Sequence, residues 1–180
     1  MTPEELHTLK YPLGDFEWPM EVTDNQFEEA VKSIALLPEK LRLLVNGFSS
    51  EQLDTPYRPE GWTVKQVVHH LADSHANSYI RYKWALTEDM PTIKAYYEDR
   101  WANLYDYGMD INVSLQLLDA LHKRWVHLLK SLNAEALKKV FIHPETKRVM
   151  DLKRSTLMYA WHGEHHYAHI NNLILRMGWR

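Results

Sequence analysis

Four stretches of this chain place apolar side chains at three- and four-residue steps. That period most constrains the fold, because it matches one face of an α-helix and no strand. The first stretch runs from Asp24 to Val45, with Phe27, Val31, Ile34, Leu37, Leu41, Leu44 and Val45 in step behind Thr23 and Gln26, which have capping-box spacing. Pro38 falls inside this pattern and is expected to kink or split the helix, with Gly47 as its stop. The second begins at Trp62, where Thr63 and Gln66 repeat the capping spacing and Trp62 can staple onto Val67. It runs through His70, Ser74, Asn77 and Trp84 towards Pro91. The third carries Leu115, Leu118, Leu121, Trp125, Leu128, Leu129 and Leu132 between Asn112 and Leu132, and the fourth extends from about Asp151 or Ser155 to Met177, before Gly178.

The connections are punctuated by turn chemistry. Pro56, Pro59 and Gly61 mark a connection over 49–61 with one short helical turn, and 91–111 reads as a long aromatic crossover loop, a kind of segment that often carries function. Val140–Ile142 and Arg148–Met150 flank a turn and predict a short hairpin. The expectation is all-α: a four-helix bundle with at most that hairpin, one domain over 1–180, in up-down-down-up or a related crossover order.

Composition removes several functions. A net charge of -3 provides no basic excess for phosphate contacts, so nucleic acid is not an expected partner. No apolar run is long enough for a membrane span, and the first thirty residues, with their acids and three prolines, do not show the charged start and apolar stretch of a secretory leader. With 0 cysteines, disulfides, thiolate ligands and a cysteine nucleophile are all absent, and a cytoplasmic setting is expected. Any thiol in the chemistry would have to arrive with a substrate. The paired cations Lys138 and Lys139, Lys147 and Arg148, and Lys153 and Arg154 read as a solvated face.

Histidine is the outlier, with 11 copies, grouped at 69–75 and 162–169. His162 and His166 are four residues apart, as are His165 and His169, and at 3.6 residues per turn each pair projects from one face about a turn apart. Met158, Tyr159, His162, His166, Ile170, Leu173 and Met177 share the apolar side, so His162 and His166 face inward, with His169 at the edge. On the second helix His70 is in step with Val67, Ser74 and Asn77, whereas His69 follows the polar Lys65, Gln66 and Asp73. His70, His162 and His166 are therefore the expected ligands of one divalent ion, with positions left open as in a catalytic site. Asp73 is expected to orient a ligand imidazole, and Glu164 is a weaker base candidate because its phase is outward. His69, His75 and His165 read as supporting or surface groups, and His7, His122, His127 and His143 as packed or surface residues. Rival sites lack their residues: Gly163 stands where a zincin has glutamate, Glu-x-x-His occurs only at Glu4 to His7, and no glycine-rich phosphate loop can be written.

These residues resemble a known family. Gly61-Trp62-Thr63-Val64, Val68-His69-His70-Leu71-Ala72-Asp73-Ser74-His75, and Trp161-His162 through His166-Tyr167-Ala168-His169-Ile170 are similar to the DinB-like superfamily, in its YfiT or bacillithiol-transferase-like branch. Leu53 to Arg58 and Arg176 to Trp179 fit that branch too. The resemblance implies a four-helix bundle, zinc or nickel on His70, His162 and His166, and homodimers. It also implies a metal-dependent S-transferase that joins a small thiol of the bacillithiol kind to an electrophile. The alternatives it leaves open are a hydrolase that uses ionised water on an amide or ester and a non-enzymatic metal-binding bundle.

Overall fold

A computed structural model of the chain describes residues 2–179. In chain order its elements are α1 (Pro3–Lys10), α2 (Asp24–Leu44), α3 (Ser50–Leu53), α4 (Val64–Thr87), α5 (Glu98–Trp101), a 3-10 turn at Tyr105–Gly108, α6 (Ile111–Ser131), α7 (Ala134–Leu137), β1 (Val140–Ile142), β2 (Val149–Asp151) and α8 (Leu152–Met177).

Local chemistry starts and stops the long helices where the sequence says it should. Thr23 Oγ1 accepts from the Gln26 amide at 3.2 Å while Gln26 Oε1 accepts from the Thr23 amide at 2.9 Å, and Thr63 and Gln66 repeat the exchange at 3.1 and 3.0 Å. Asp151 caps α8, and Gly178 ends it with φ 64°, a left-handed value that glycine adopts without strain. The α1 helix was not expected. Its signal was Thr2 three residues before Glu5, another capping box, with Pro3 at the first helical position.

Of the two outcomes expected at Pro38, a split does not occur: α2 runs through it, and Pro38 lies buried inside the helix. Proline removes the amide that would bond the carbonyl four residues earlier, here that of Ile34. That carbonyl instead accepts from His122 Nδ1 on α6, at 2.5 Å.

Side-chain contacts give the helix directions. Asp24 meets Lys153 and Lys40 meets Glu164, each at 2.6 Å, so α2 and α8 run parallel. His69 meets Ser114 and His75 meets His122, so α4 and α6 also run parallel, while His70 against His162 and Tyr82 against the Leu152 carbonyl set α4 antiparallel to α8. The order is therefore up-down-down-up, with α2 and α4 each packed between α6 and α8. The parallel pair requires the long crossover at 88–110, which is partly ordered by α5 and by the Tyr105–Gly108 turn. The strands β1 and β2 pair antiparallel, with β2 beginning and ending one residue later than expected.

Two apolar clusters fill the bundle. Leu41, Val64, Leu71, Leu115 and Ile170 occupy one end, and Ile34, Tyr82, Trp125, Phe141 and Leu152 the other. His75, His122, His162 and His166 lie in the layer between, flanked in sequence by both clusters. Gly163 sets how closely α8 approaches α2 there: a Cβ on it would lie 2.6 Å from Leu37 Cδ2. Among the described residues no helix is long and apolar enough to cross a membrane.

Candidate metal centre

The helical phase brings together the three histidines that the sequence selected. One ring nitrogen from each of His70, His162 and His166 lies within 4.8 Å of the other two, and the Nε2 atoms of His70 and His162 are 3.3 Å apart. His70 and His166 are buried and His162 is part-exposed. Desolvation pushes all three well below the ordinary imidazole value, His70 to about 3, and the neighbouring histidines add to the shift. The rings are accordingly neutral near pH 7, with one nitrogen of each lying close to the other two. Neutral imidazole is the form that binds a divalent ion. Buried His70 Nδ1 has no partner, so the polar groups here do not satisfy one another. This donor set fits a divalent transition metal ion.

The cluster forms the floor of a cavity of about 630 Å³. Trp62 stands at its wall, 4.5 Å from the His70 ring and stacked at 6.2 Å on that of His166. The Arg81 guanidinium, itself buried, donates to Tyr159 Oη at 3.1 Å and to the Lys94 carbonyl at 3.2 Å; its Nε has no partner, and no carboxylate among the described residues pairs with it. A larger groove of about 1070 Å³ lies elsewhere, lined by Phe27, Val31 and Leu129 and by no histidine.

The supporting groups are not arranged as expected. Asp73 accepts from Tyr107 Oη at 2.7 Å and does not reach a ligand imidazole. Glu164 points outward as its phase implied, held by Lys40 at 2.6 Å and Ser33 at 3.0 Å on α2. His69 is a satisfied core residue between Ser114 Oγ (2.7 Å) and the Met109 carbonyl (3.2 Å). His165 stacks on Trp161 at 4.5 Å, and His169 stacks on Tyr57 at 4.0 Å. His7 and His127 are exposed, while His143 is part-buried beside the cavity. Arg154 is not merely solvated: it donates to the Pro19 carbonyl at 2.9 Å and pairs with Asp151 and the Met20 carbonyl.

Sequence reasoning missed the pair behind the cluster. His75 Nδ1 and His122 Nε2 are 2.8 Å apart, with the rings stacked at 3°, and His75 Nε2 lies 3.3 Å from His162 Nδ1. The available signal was that His122 falls four residues after Leu118 and three before Trp125, on the apolar stripe of α6.

The chain is similar to known proteins. Residues 34–170 match the DinB superfamily. A Bacillus cereus strain B4264 protein is 49% identical over 174 residues, covering 97% of this chain and all of that protein, and its name proposes a metal-dependent hydrolase. A Bacillus thuringiensis subsp. konkukian strain 97-27 protein matches equally well under the same description. The solved structure of YfiT from Bacillus subtilis superimposes with a TM-score of 0.94 at 45% identity, covering 96% of this chain and 99% of that one; it is described as an unusual four-helix bundle with an inferred metal-dependent hydrolase activity. A mycothiol-dependent maleylpyruvate isomerase shares the fold at a TM-score of 0.59 and 14% identity, over 77% of this chain and 60% of its own.

Proposed function

This chain belongs to the DinB superfamily, and on that premise we propose that it is a metal-dependent enzyme that joins a low-molecular-weight thiol to an electrophile, with His70, His162 and His166 holding one divalent ion, zinc or nickel. The observation that carries this reading is the convergence of three neutral imidazoles on the floor of an open cavity in a chain with no cysteine of its own. When bound, such an ion supplies Lewis acidity that favours thiolate over a thiol of pKa ~8.5, or hydroxide over water.

The protein's own groups do the remainder. Trp62 and Tyr159 wall the site and limit water around the reacting groups, while Arg81 offers a buried cation to an anionic group of the substrate. This supports a thiol that carries a carboxylate, since a buried charge needs a partner. In the reaction the thiol proton passes to solvent, a carbon–sulfur bond forms, and the carbon–leaving-group bond of the electrophile breaks, releasing the leaving group as an anion. Holding both reactants in one cavity supplies the orientation.

The second reading, hydrolysis of an amide or ester, is favoured by the names of the relatives. One experiment separates the two: conjugation of a monohalobimane by the metal-loaded protein with bacillithiol, glutathione, coenzyme A or cysteine, against cleavage of ester and amide substrates. We expect conjugation to require both thiol and metal and to fall to background in His162→Ala. Hydrolysis without thiol dependence would replace the transferase reading. The same reading takes the protein to be a cytoplasmic homodimer, with the oligomeric state checked by sedimentation.

A further inference from the structure

Three further histidines, His75, His122 and His169, are joined to two members of the cluster, and the direction of each bond can be worked out from its far end. A backbone carbonyl only accepts, so the Ile34 carbonyl requires the proton of His122 to sit on Nδ1 (2.5 Å). A neutral His122 then presents a lone pair at Nε2, which accepts from His75 Nδ1–H at 2.8 Å. His75 Nε2 is in turn a lone pair and accepts from His162 Nδ1–H at 3.3 Å. His162 is left with its lone pair on Nε2, the atom that lies 3.3 Å from His70 Nε2.

A second chain gives the same result on the other side of the cluster. The Lys10 carbonyl, near the end of α1, takes His169 Nε2–H at 3.0 Å, so His169 Nδ1 accepts from His166 Nδ1–H at 3.4 Å and Nε2 of His166 is free. Both starting carbonyls are ones that helix geometry leaves without a helical partner, the first because of Pro38 and the second because α1 ends there.

We propose that these two imidazole chains, His122–His75–His162 and His169–His166, are tautomer locks: each fixes a ligand histidine with its proton on Nδ1, so that Nε2 is presented to the metal. His75, His122 and His169 are positioning residues, and Pro38 acts in the first lock by releasing the Ile34 carbonyl. Ligand imidazoles commonly donate their second N–H to a carboxylate, carbonyl or water, and loss of that partner costs 10–100-fold in metal affinity. Here neutral imidazoles fill the role, so no negative charge is placed behind the ligands. His70 Nδ1, which lacks a partner, is left unlocked. The proposal rests on the metal reading of the cluster and is independent of whether a thiol or water is the nucleophile.

Two measurements test it, neither reading turnover. Long-range proton–nitrogen spectra of the metal-free protein at neutral pH are expected to show His162 and His166 as Nδ1–H tautomers; an Nε2–H form at either residue overturns the lock there. Zinc affinity, read by competition with a chromophoric chelator, is expected to fall about 10–100-fold in His122→Leu and to stay within about threefold in His122→Gln, whose amide can both donate to the Ile34 carbonyl and accept from His75. Wild-type affinity in a folded His122→Leu protein overturns the first lock. If that variant does not fold, the tautomer spectrum of the wild type decides alone. A wild-type protein that shows both tautomers but binds no zinc leaves the locks standing and removes the metal reading.

Discussion

Two groups of histidines sit a few ångströms apart in the same bundle and differ in one respect. In the His75–His122 pair both rings are buried and every nitrogen is matched, through to the Ile34 carbonyl and His162. In the His70–His162–His166 group the nitrogens converge and one buried atom, His70 Nδ1, has nothing to bond. Burial is therefore not what distinguishes them, because desolvation holds His122 at about 4 and His70 at about 3, both as neutral rings. The difference lies in where the nitrogens are directed. Nitrogens paired to one another and to a carbonyl make a structural element, and three that come together beside a cavity make a candidate site.

The largest effect should separate the converging group from its neighbours. His162→Ala is expected to abolish stoichiometric metal retention, measured by metal analysis of the purified protein, whereas His165→Ala, whose ring stacks on Trp161, should retain it. Metal loss in His165→Ala would show that the wrong face of α8 has been assigned. In both variants circular dichroism should remain helical, since the two apolar clusters do not depend on the ion.

Acid sharpens the comparison. His70, His122 and His169 all have folded-state values pushed below the unfolded value of about 6.5 by burial, to about 3, 4 and 4. The unfolded chain thus takes up protons that the folded one refuses, and stability present above that value is lost as pH falls through it towards 4. Each such group contributes up to about 1.4 kcal/mol per pH unit. Urea unfolding of the metal-free protein is expected to show this decline, with a shallower slope in His122→Gln; a flat profile between pH 7 and about 4.5 would mean that the histidine layer is open to water.

The smallest effect belongs to Glu164, which shares the helix segment of both ligands but points away from them. Its pair with Lys40 is about one-third exposed on each side, so Glu164→Gln is expected to cost no more than about 1 kcal/mol of stability in thermal unfolding and to leave metal retention and turnover unchanged. Lost turnover with retained metal would make Glu164 a working base after all.

Much of this molecule was legible in short windows of sequence. Capping boxes at Thr23 and Thr63, apolar stripes and the stop at Gly178 are set by interactions within a turn or two, so four long helices could be read with their ends nearly in place. The inward phase of His162, His166 and His70 followed from the same period. The choice of up-down-down-up among the crossover orders, the continuity of α2 through Pro38 and the company kept by Asp73, His75, His122 and His169 could not be read that way. Each depends on groups far apart in the chain: His122 lies 88 residues from the carbonyl it bonds, and His169 lies 159 residues from its own. A sequence specifies which backbone groups a helix leaves unsatisfied, because that is local geometry. Which distant side chain arrives to satisfy them is decided only when the helices pack.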